Sequence, residues 1–257
     1  MKIEIDTNKN TLSVTSDEGS GVSLPLYSDE AFDVLSRWWV KVGWDRRYSY
    51  TFSWMGRPII QLPEDMIRMQ EVFHQVRPTL VVETGVAHGG SLIFYASLLK
   101  AMDIPGRVVG IDVEVREENR RAIEDHPLAS FIELEIGSSV GAELVSRVAA
   151  RRKADDRVLV ILDSDHSYAH VAAELEVYHG LVTPGSYIVA TDGLMRDLHD
   201  VPRGQAGWER DNPACAAEDF ASRHPEFVLE QPAWPFNEST LSRNVTHWPS
   251  AWLRRIA

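Results

Sequence analysis

Between residues 80 and 190, short apolar runs alternate with stretches of helical periodicity, and no other feature limits the fold as much. The runs are Leu80-Val81-Val82, Val108 to Ile111, Phe131 to Ile136, Val158 to Leu162 and Tyr187 to Ala190. Helices are expected between them at 91–102, 117–124, 140–152 and 167–180. Strands without a polar face cannot border water, so their sheet must carry helices on both faces. Strand–helix–strand order makes that sheet mostly parallel. The expected class is therefore α/β.

The flanks read differently. Residues 1–16 suggest a hairpin, with Ile3 and Ile5 on one arm, Leu12 and Val14 on the other, and a turn at Asn8-Lys9-Asn10. Residues 28–42 are expected to form a helix capped by Ser28, with Phe32, Leu35, Trp39 and Val42 at helical spacing. An aromatic stretch runs from Trp38 to Trp54, and Met55-Gly56-Arg57-Pro58 makes a turn. Pro63 then opens a helix to Val76. The expected division is an N-terminal extension, 1–62, and an α/β domain, 63–257. Past residue 193, Leu194 to Trp208 reads as a long loop. Asn212-Pro213 caps a helix reaching about Arg223. Phe227–Leu229, Thr240–Val245 and Trp252–Ile256 read as strands adding an antiparallel edge.

Composition excludes several classes of function. Apolar residues make up 44% and charged residues 25%, too hydrophobic for disorder. The one cysteine, Cys215, excludes an internal disulfide and a cysteine-built metal cluster. A net charge of −12 gives no footprint for a phosphate backbone, so nucleic acid is not an expected partner. The longest clean apolar run, Val158 to Leu162, is too short to cross a bilayer. Met1 to Asp6 alternates and carries charge, unlike a signal core, so a cytoplasmic protein is expected.

The chemistry starts where the first buried run meets its helix, at Glu83-Thr84-Gly85-Val86-Ala87-His88-Gly89-Gly90-Ser91. Glycines there let backbone approach a ligand, and the helix start offers free N–H groups. Asp112 ends the next run, where a carboxylate can accept hydrogen bonds from a ribose diol. Ala87 stands where a dinucleotide fold places the glycine that admits a pyrophosphate, and the Glu83 carboxylate would repel one. An ammonium or sulfonium suits Glu83 better. S-adenosylmethionine (SAM) has both, and a ribose diol for Asp112. His88, inside the turn, either touches the ligand or holds the loop.

These residues resemble the cephalosporin hydroxylase/rhamnosyl O-methyltransferase family. Ile111-Asp112-Val113-Glu114-Val115-Arg116, His126-Pro127-Leu128, Gly137-Ser138-Ser139, Asp163-Ser164-Asp165-His166, Trp54-Met55-Gly56, Asn212-Pro213 and Trp252-Leu253-Arg254-Arg255 look similar too. The likeness runs over roughly residues 48–257. It implies a Rossmann-like SAM-dependent methyltransferase sheet, often with a divalent metal, acting on small hydroxylated natural products or sugars. By that likeness Glu83, Gly85, Asp112 and Ser138 line the SAM site, with Ala87, His88, Gly89, Ser91 and Asp163 beside them. An iron oxygenase instead draws two histidines and a carboxylate from a β-sandwich. His224-Pro225-Glu226 has half that spacing, but in an α/β chain.

A second group of residues follows the last two buried runs. Asp163, Asp165 and Asp192 fall at strand ends on the edge where parallel sheets bind ligands, and such carboxylates suit Mg²⁺. The alternative is that Asp163 and Asp165 cap the next helix. Metal-dependent sugar O-methyltransferases of related type pair Asp-x-x-His with a later pair of acids. Asp163 and His166 match the first part, Asp192 matches one acid, and Thr191 replaces the other. His166 is the expected general base, since no lysine falls at these strand ends and histidine titrates near neutrality. His166 and His170 share a helix face, as a zinc pair would, with no third ligand nearby in sequence. The expected activity is methyl transfer from SAM to a small-molecule hydroxyl. The rivals are a metal-independent methyltransferase and a SAM-binding subunit without chemistry. The aromatic stretch predicts a homo-oligomer, with residues 28–60 at an interface or over the pocket.

Overall fold

The computed structural model describes residues 1–257. Strands β1 (Lys2–Asp6), β2 (Thr11–Thr15) and β3 (Gly21–Pro25) form a small antiparallel sheet in that order. The expected hairpin thus gains a third strand. Leu24 pairs with Leu12 and Val22 with Val14, although only Leu12 of these four is fully buried. Helix α1 (Asp29–Asp45) starts where the Ser28 hydroxyl accepts the Ala31 N–H at 3.2 Å. Two-residue strands β4 (Ser53–Trp54) and β5 (Arg57–Pro58) flank the Met55-Gly56 turn, and α2 (Pro63–Val76) follows.

The main domain then runs β6 (Leu80–Thr84), α3 (Gly90–Ala101), β7 (Arg107–Asp112), α4 (Glu117–Glu124), β8 (Ile132–Ile136), α5 (Ala142–Ala150), β9 (Val158–Leu162), α6 (Tyr168–Tyr178) and β10 (Tyr187–Ala190). It ends with α7 (Pro213–Arg223), β11 (Phe227–Leu229) and β12 (Trp252–Arg255). The seven-stranded sheet has the order β11-β12-β10-β9-β6-β7-β8. Strands β6 to β10 are parallel, and β12 lies antiparallel between β10 and β11. Alternate residues of each strand feed opposite layers. Val81, Val108, Leu159 and Ile161 join one cluster with α2 and α3, while Leu80, Val82, Val109 and Val160 join another with α5, α6 and α7. Each such side chain, taken fully out of water, contributes about 1.5–3 kcal/mol.

Two expectations at the C-terminal side change. Leu194 to Trp208 contains two 3-10 turns, at Gly193–Leu198 and Ala206–Glu209, and buries Leu194 and Leu198 against Val40 of α1. Residues 240–245 alternate like a strand but pair with none. Their polar side chains are tied to helices instead: the Thr240 hydroxyl donates to Asp29 Oδ1 at 2.7 Å, and Asn244 Oδ1 accepts from Arg68 Nε at 3.0 Å. Just beyond, buried Asp65 in the first turn of α2 accepts the Thr246 hydroxyl and, at 2.8 Å, the His247 N–H. Burial pushes the Asp65 carboxyl up to about 8.

The aromatic stretch divides. Trp54 packs on Phe94 with its indole N–H donated to Ser97, and Trp44 meets Trp208 edge-on at 5.6 Å. Trp39, Tyr48 and Tyr50 remain exposed. No helix is long and apolar enough to cross a membrane.

Candidate active site

The five parallel strands end on one edge, and the glycine turn leaves the central strand there. Gly85 has φ +88°, and a Cβ on it would lie 2.0 Å from the Asp163 carbonyl oxygen, so no other residue fits. Ala87 is left-handed without being glycine, at φ +45°. Its strain is held from both sides. Asp112 Oδ2 accepts the N–H of Val86 at 2.8 Å and of Ala87 at 3.3 Å, and Asn119 Nδ2 donates to the Ala87 carbonyl at 3.0 Å. The Arg57 guanidinium holds the His88 carbonyl at 2.6 Å and Asn119 Oδ1 at 3.0 Å. The His88 backbone therefore holds the loop, while its side chain stays partly open.

Glu83 lies one layer inside. It is fully buried, accepting the Ser91 hydroxyl at 2.6 Å and the Tyr95 hydroxyl at 3.0 Å. Burial, and then nearby Asp163, push its carboxyl well above the usual range. The strap at residues 58–61 crosses the start of α3 so closely that a Cβ on Gly90 would lie 2.1 Å from the Pro58 carbonyl. Strap and loop enclose a cavity of about 50 Å³ lined by Gln61, Gly85, Ser91 and Asp163 among others. On the outer side, Ala87 and Ser138 are exposed and Asp112 is partly open. Gly89 is buried at the cap of α3.

The second group also converges. Asp163, His166 and Asp192 each place one ligand atom within 4.8 Å of the others. His166 Nε2 stands 3.5 Å from Asp192 Oδ2, and its Nδ1 is buried without a partner. The Thr191 hydroxyl lies 2.6 Å from Asp163 Oδ1 and 2.9 Å from the Leu162 carbonyl. Its single proton serves only one of them well, so a protonated Asp163 satisfies all three groups. Burial and then Asp192 push Asp163 up to about 7, in keeping with that.

The remaining residues lie apart. Asp165 is exposed, outside the cluster, and accepts the Ser167 N–H at 2.8 Å where α6 begins. His170 Nε2 lies 3.2 Å from both Ser139 Oγ and Glu174 Oε1, which pins it away from His166. His224, Glu226 and His179 gather at the opposite edge of the sheet, where His224 Nδ1 lies 3.1 Å from Glu226. Sequence reasoning missed Arg57, Asn119 and Gln61. The partners of the first two are too distant along the chain for any local pattern, with 62 positions separating Arg57 from Asn119.

A mostly parallel sheet of this order, with an acid before the glycine turn and a second acid closing β7, is the arrangement of the SAM-dependent methyltransferases. Solved members share the fold. CmcI with magnesium and SAM superposes with a TM-score of 0.55 at 18% identity, over 81% of this chain and 78% of that one. The MycE methyltransferase of the mycinamycin biosynthetic pathway, with magnesium and SAH, gives 0.50 at 18%, over 84% and 54%. The sequence profile described as rhamnosyl O-methyltransferase/CmcI matches residues 46–256. A rhamnosyl O-methyltransferase of Mycobacterium leprae is 30% identical over 178 residues, 66% of this chain and 76% of that protein. The chain belongs to the rhamnosyl O-methyltransferase/CmcI family, and so to the SAM-dependent O-methyltransferases.

Proposed function

We propose that this protein methylates a hydroxyl of a small molecule, a sugar or another natural product, using SAM and Mg²⁺. The observation that carries the reading is the meeting of Asp163, His166 and Asp192 directly beside the glycine turn, where Asp163 contributes to both groups. The names of the M. leprae relative, a rhamnosyl O-methyltransferase, and of MycE, from the mycinamycin biosynthetic pathway, support a sugar or natural-product acceptor.

The residues fit both groups. Asp112 and the exposed Ala87 and Ser138 suit a nucleoside across the loop, and the acids behind it, buried Glu83 and half-buried Asp163, suit a cationic donor. Asp163 and Asp192 are hard oxygen donors suited to Mg²⁺. Bound there, the ion would supply positive charge that lowers the pKa of the acceptor hydroxyl, and SAM would supply the methyl group. His166 receives the hydroxyl proton at Nε2, and Asp192, 3.5 Å away, stabilises the resulting imidazolium. The strap over the loop covers the cavity beside Asp163. The Thr191–Asp163 hydrogen bond favours one second reading, a metal-independent enzyme in which His166 acts alone.

Calorimetric titration with SAM, followed by a methyl-transfer assay on hydroxylated acceptors, tests the reading. NAD binding at comparable affinity would refute it. Asp112→Ala should weaken SAM at least tenfold. It removes the ribose acceptor and the anchor of two loop N–H groups, and each charged hydrogen bond is worth about 1.5–3 kcal/mol. Unchanged affinity would remove Asp112 from the site. The reading includes a homo-oligomer, supported by exposed Trp39, Val42, Tyr48 and Tyr50 on one segment. A monomeric mass by light scattering at micromolar concentration would refute that part.

A further inference from the structure

Gln61 is only 4% exposed, yet neither its Nε2 nor its Oε1 has a hydrogen-bond partner. Folded proteins almost always pair a buried carboxamide. Tyr95 lies nearby and gives its hydroxyl proton to Glu83; even an Nε2 hydrogen shared with its oxygen would leave Oε1 and a second N–H unpaired. Gln61 faces the cavity between the strap and the glycine turn, with Gly85, Ser91 and Asp163. Two features limit what that cavity takes. At about 50 Å³ and partly open, it takes the tip of a ligand and not its purine. Its ionisable lining is Asp163 and His88, with Glu83 behind Ser91, and it contains no lysine or arginine. A small zwitterion meets those conditions. Its ammonium favours the ionised form of Asp163 and Glu83, and its carboxylate needs neutral donors, which the start of α3 and a carboxamide N–H provide.

We propose that Gln61 binds the amino-acid end of SAM, donating from Nε2 to the α-carboxylate and accepting from the α-ammonium at Oε1. This rests on the SAM reading above and adds a residue of the strap to it. The strap then belongs to the binding site and senses whether the ligand carries an amino acid.

Calorimetry with two ligands on three proteins tests this. The ligands are SAM and 5′-methylthioadenosine, which keeps the nucleoside and sulfur but has no amino-acid group. The proteins are wild type, Gln61→Met, which keeps shape without polar atoms, and Gln61→Glu, which adds a negative charge. SAM affinity should fall 10–100-fold in Gln61→Met and further in Gln61→Glu. Methylthioadenosine affinity should stay within about twofold of wild type in both. The melting temperature of ligand-free Gln61→Met should equal or exceed that of wild type, because unpaired polar groups have been removed. Equal losses for both ligands, unchanged SAM affinity, or a lowered melting temperature with SAM binding intact would each overturn the assignment. If wild type binds neither ligand, the SAM reading itself fails. If wild type and Gln61→Met bind SAM alike, only Gln61 is withdrawn.

Discussion

Replacing His166 with alanine is expected to lower methyl-transfer turnover by roughly 10²–10⁴-fold while SAM affinity stays near that of wild type. The ring lies at the catalytic edge with Nε2 toward Asp192 and a buried, unpartnered Nδ1. It makes no hydrogen bond that the fold depends on, so its loss should be felt in chemistry before stability. Displacement at a sulfonium methyl needs the acceptor oxygen in line, and the oxygen must give up its proton as the new bond forms. Single-turnover rates at saturating SAM measure that step directly. Turnover within threefold of wild type would place the base elsewhere.

Asp192→Asn and Asp163→Asn are expected to cost at least a hundredfold in turnover, and EDTA should reproduce the loss in wild type, with added Mg²⁺ restoring it. Asparagine is the informative replacement at both positions. Asp192 sits at φ +56°, a conformation asparagine tolerates, so the backbone is left alone. At position 163 an amide still accepts from Thr191, whose hydroxyl is 2.6 Å from the carboxylate, so the buried hydroxyl keeps its partner. What both variants lose is a carboxylate able to ionise and hold Mg²⁺. Full activity in EDTA would leave the metal-independent reading and keep His166 as base.

The parts of the fold that could be read from sequence were those where one physical requirement dominates. Val158–Leu162 is apolar at every position and is a central strand with both faces covered. Asn212-Pro213 marks a helix start because its side chain and ring do local work, and Asn212 Oδ1 does accept the Cys215 N–H. Exposed and irregular regions carried less signal. Gly21–Pro25 is a strand of small and exposed residues whose partner across the sheet is what orders it. Residues 240–245 have strand alternation, but contacts to α1 and α2 decide their path. At the site, the glycine turn and its acids were legible as a motif. The clamp from Arg57 and Asn119 was not, because it exists only once β5 and helix α4 have both docked on the loop. The same holds for Gln61, whose significance lies in partners it lacks.

The place of β12 has a bearing on synthesis. Strand β11 pairs only with β12, and β12 also covers the outer edge of β10. A nascent chain has made Phe227–Leu229 well before it makes Trp252–Arg255. The edge strand β10 is complete at Ala190 and its cover at Arg255, so at roughly 5–20 residues per second the ribosome leaves that edge open for about three to thirteen seconds. An unpaired edge beside a buried strand is a template for another chain. Aggregation of this protein during expression is then governed by how quickly the last strand is delivered, a property of translation that the folded molecule no longer displays.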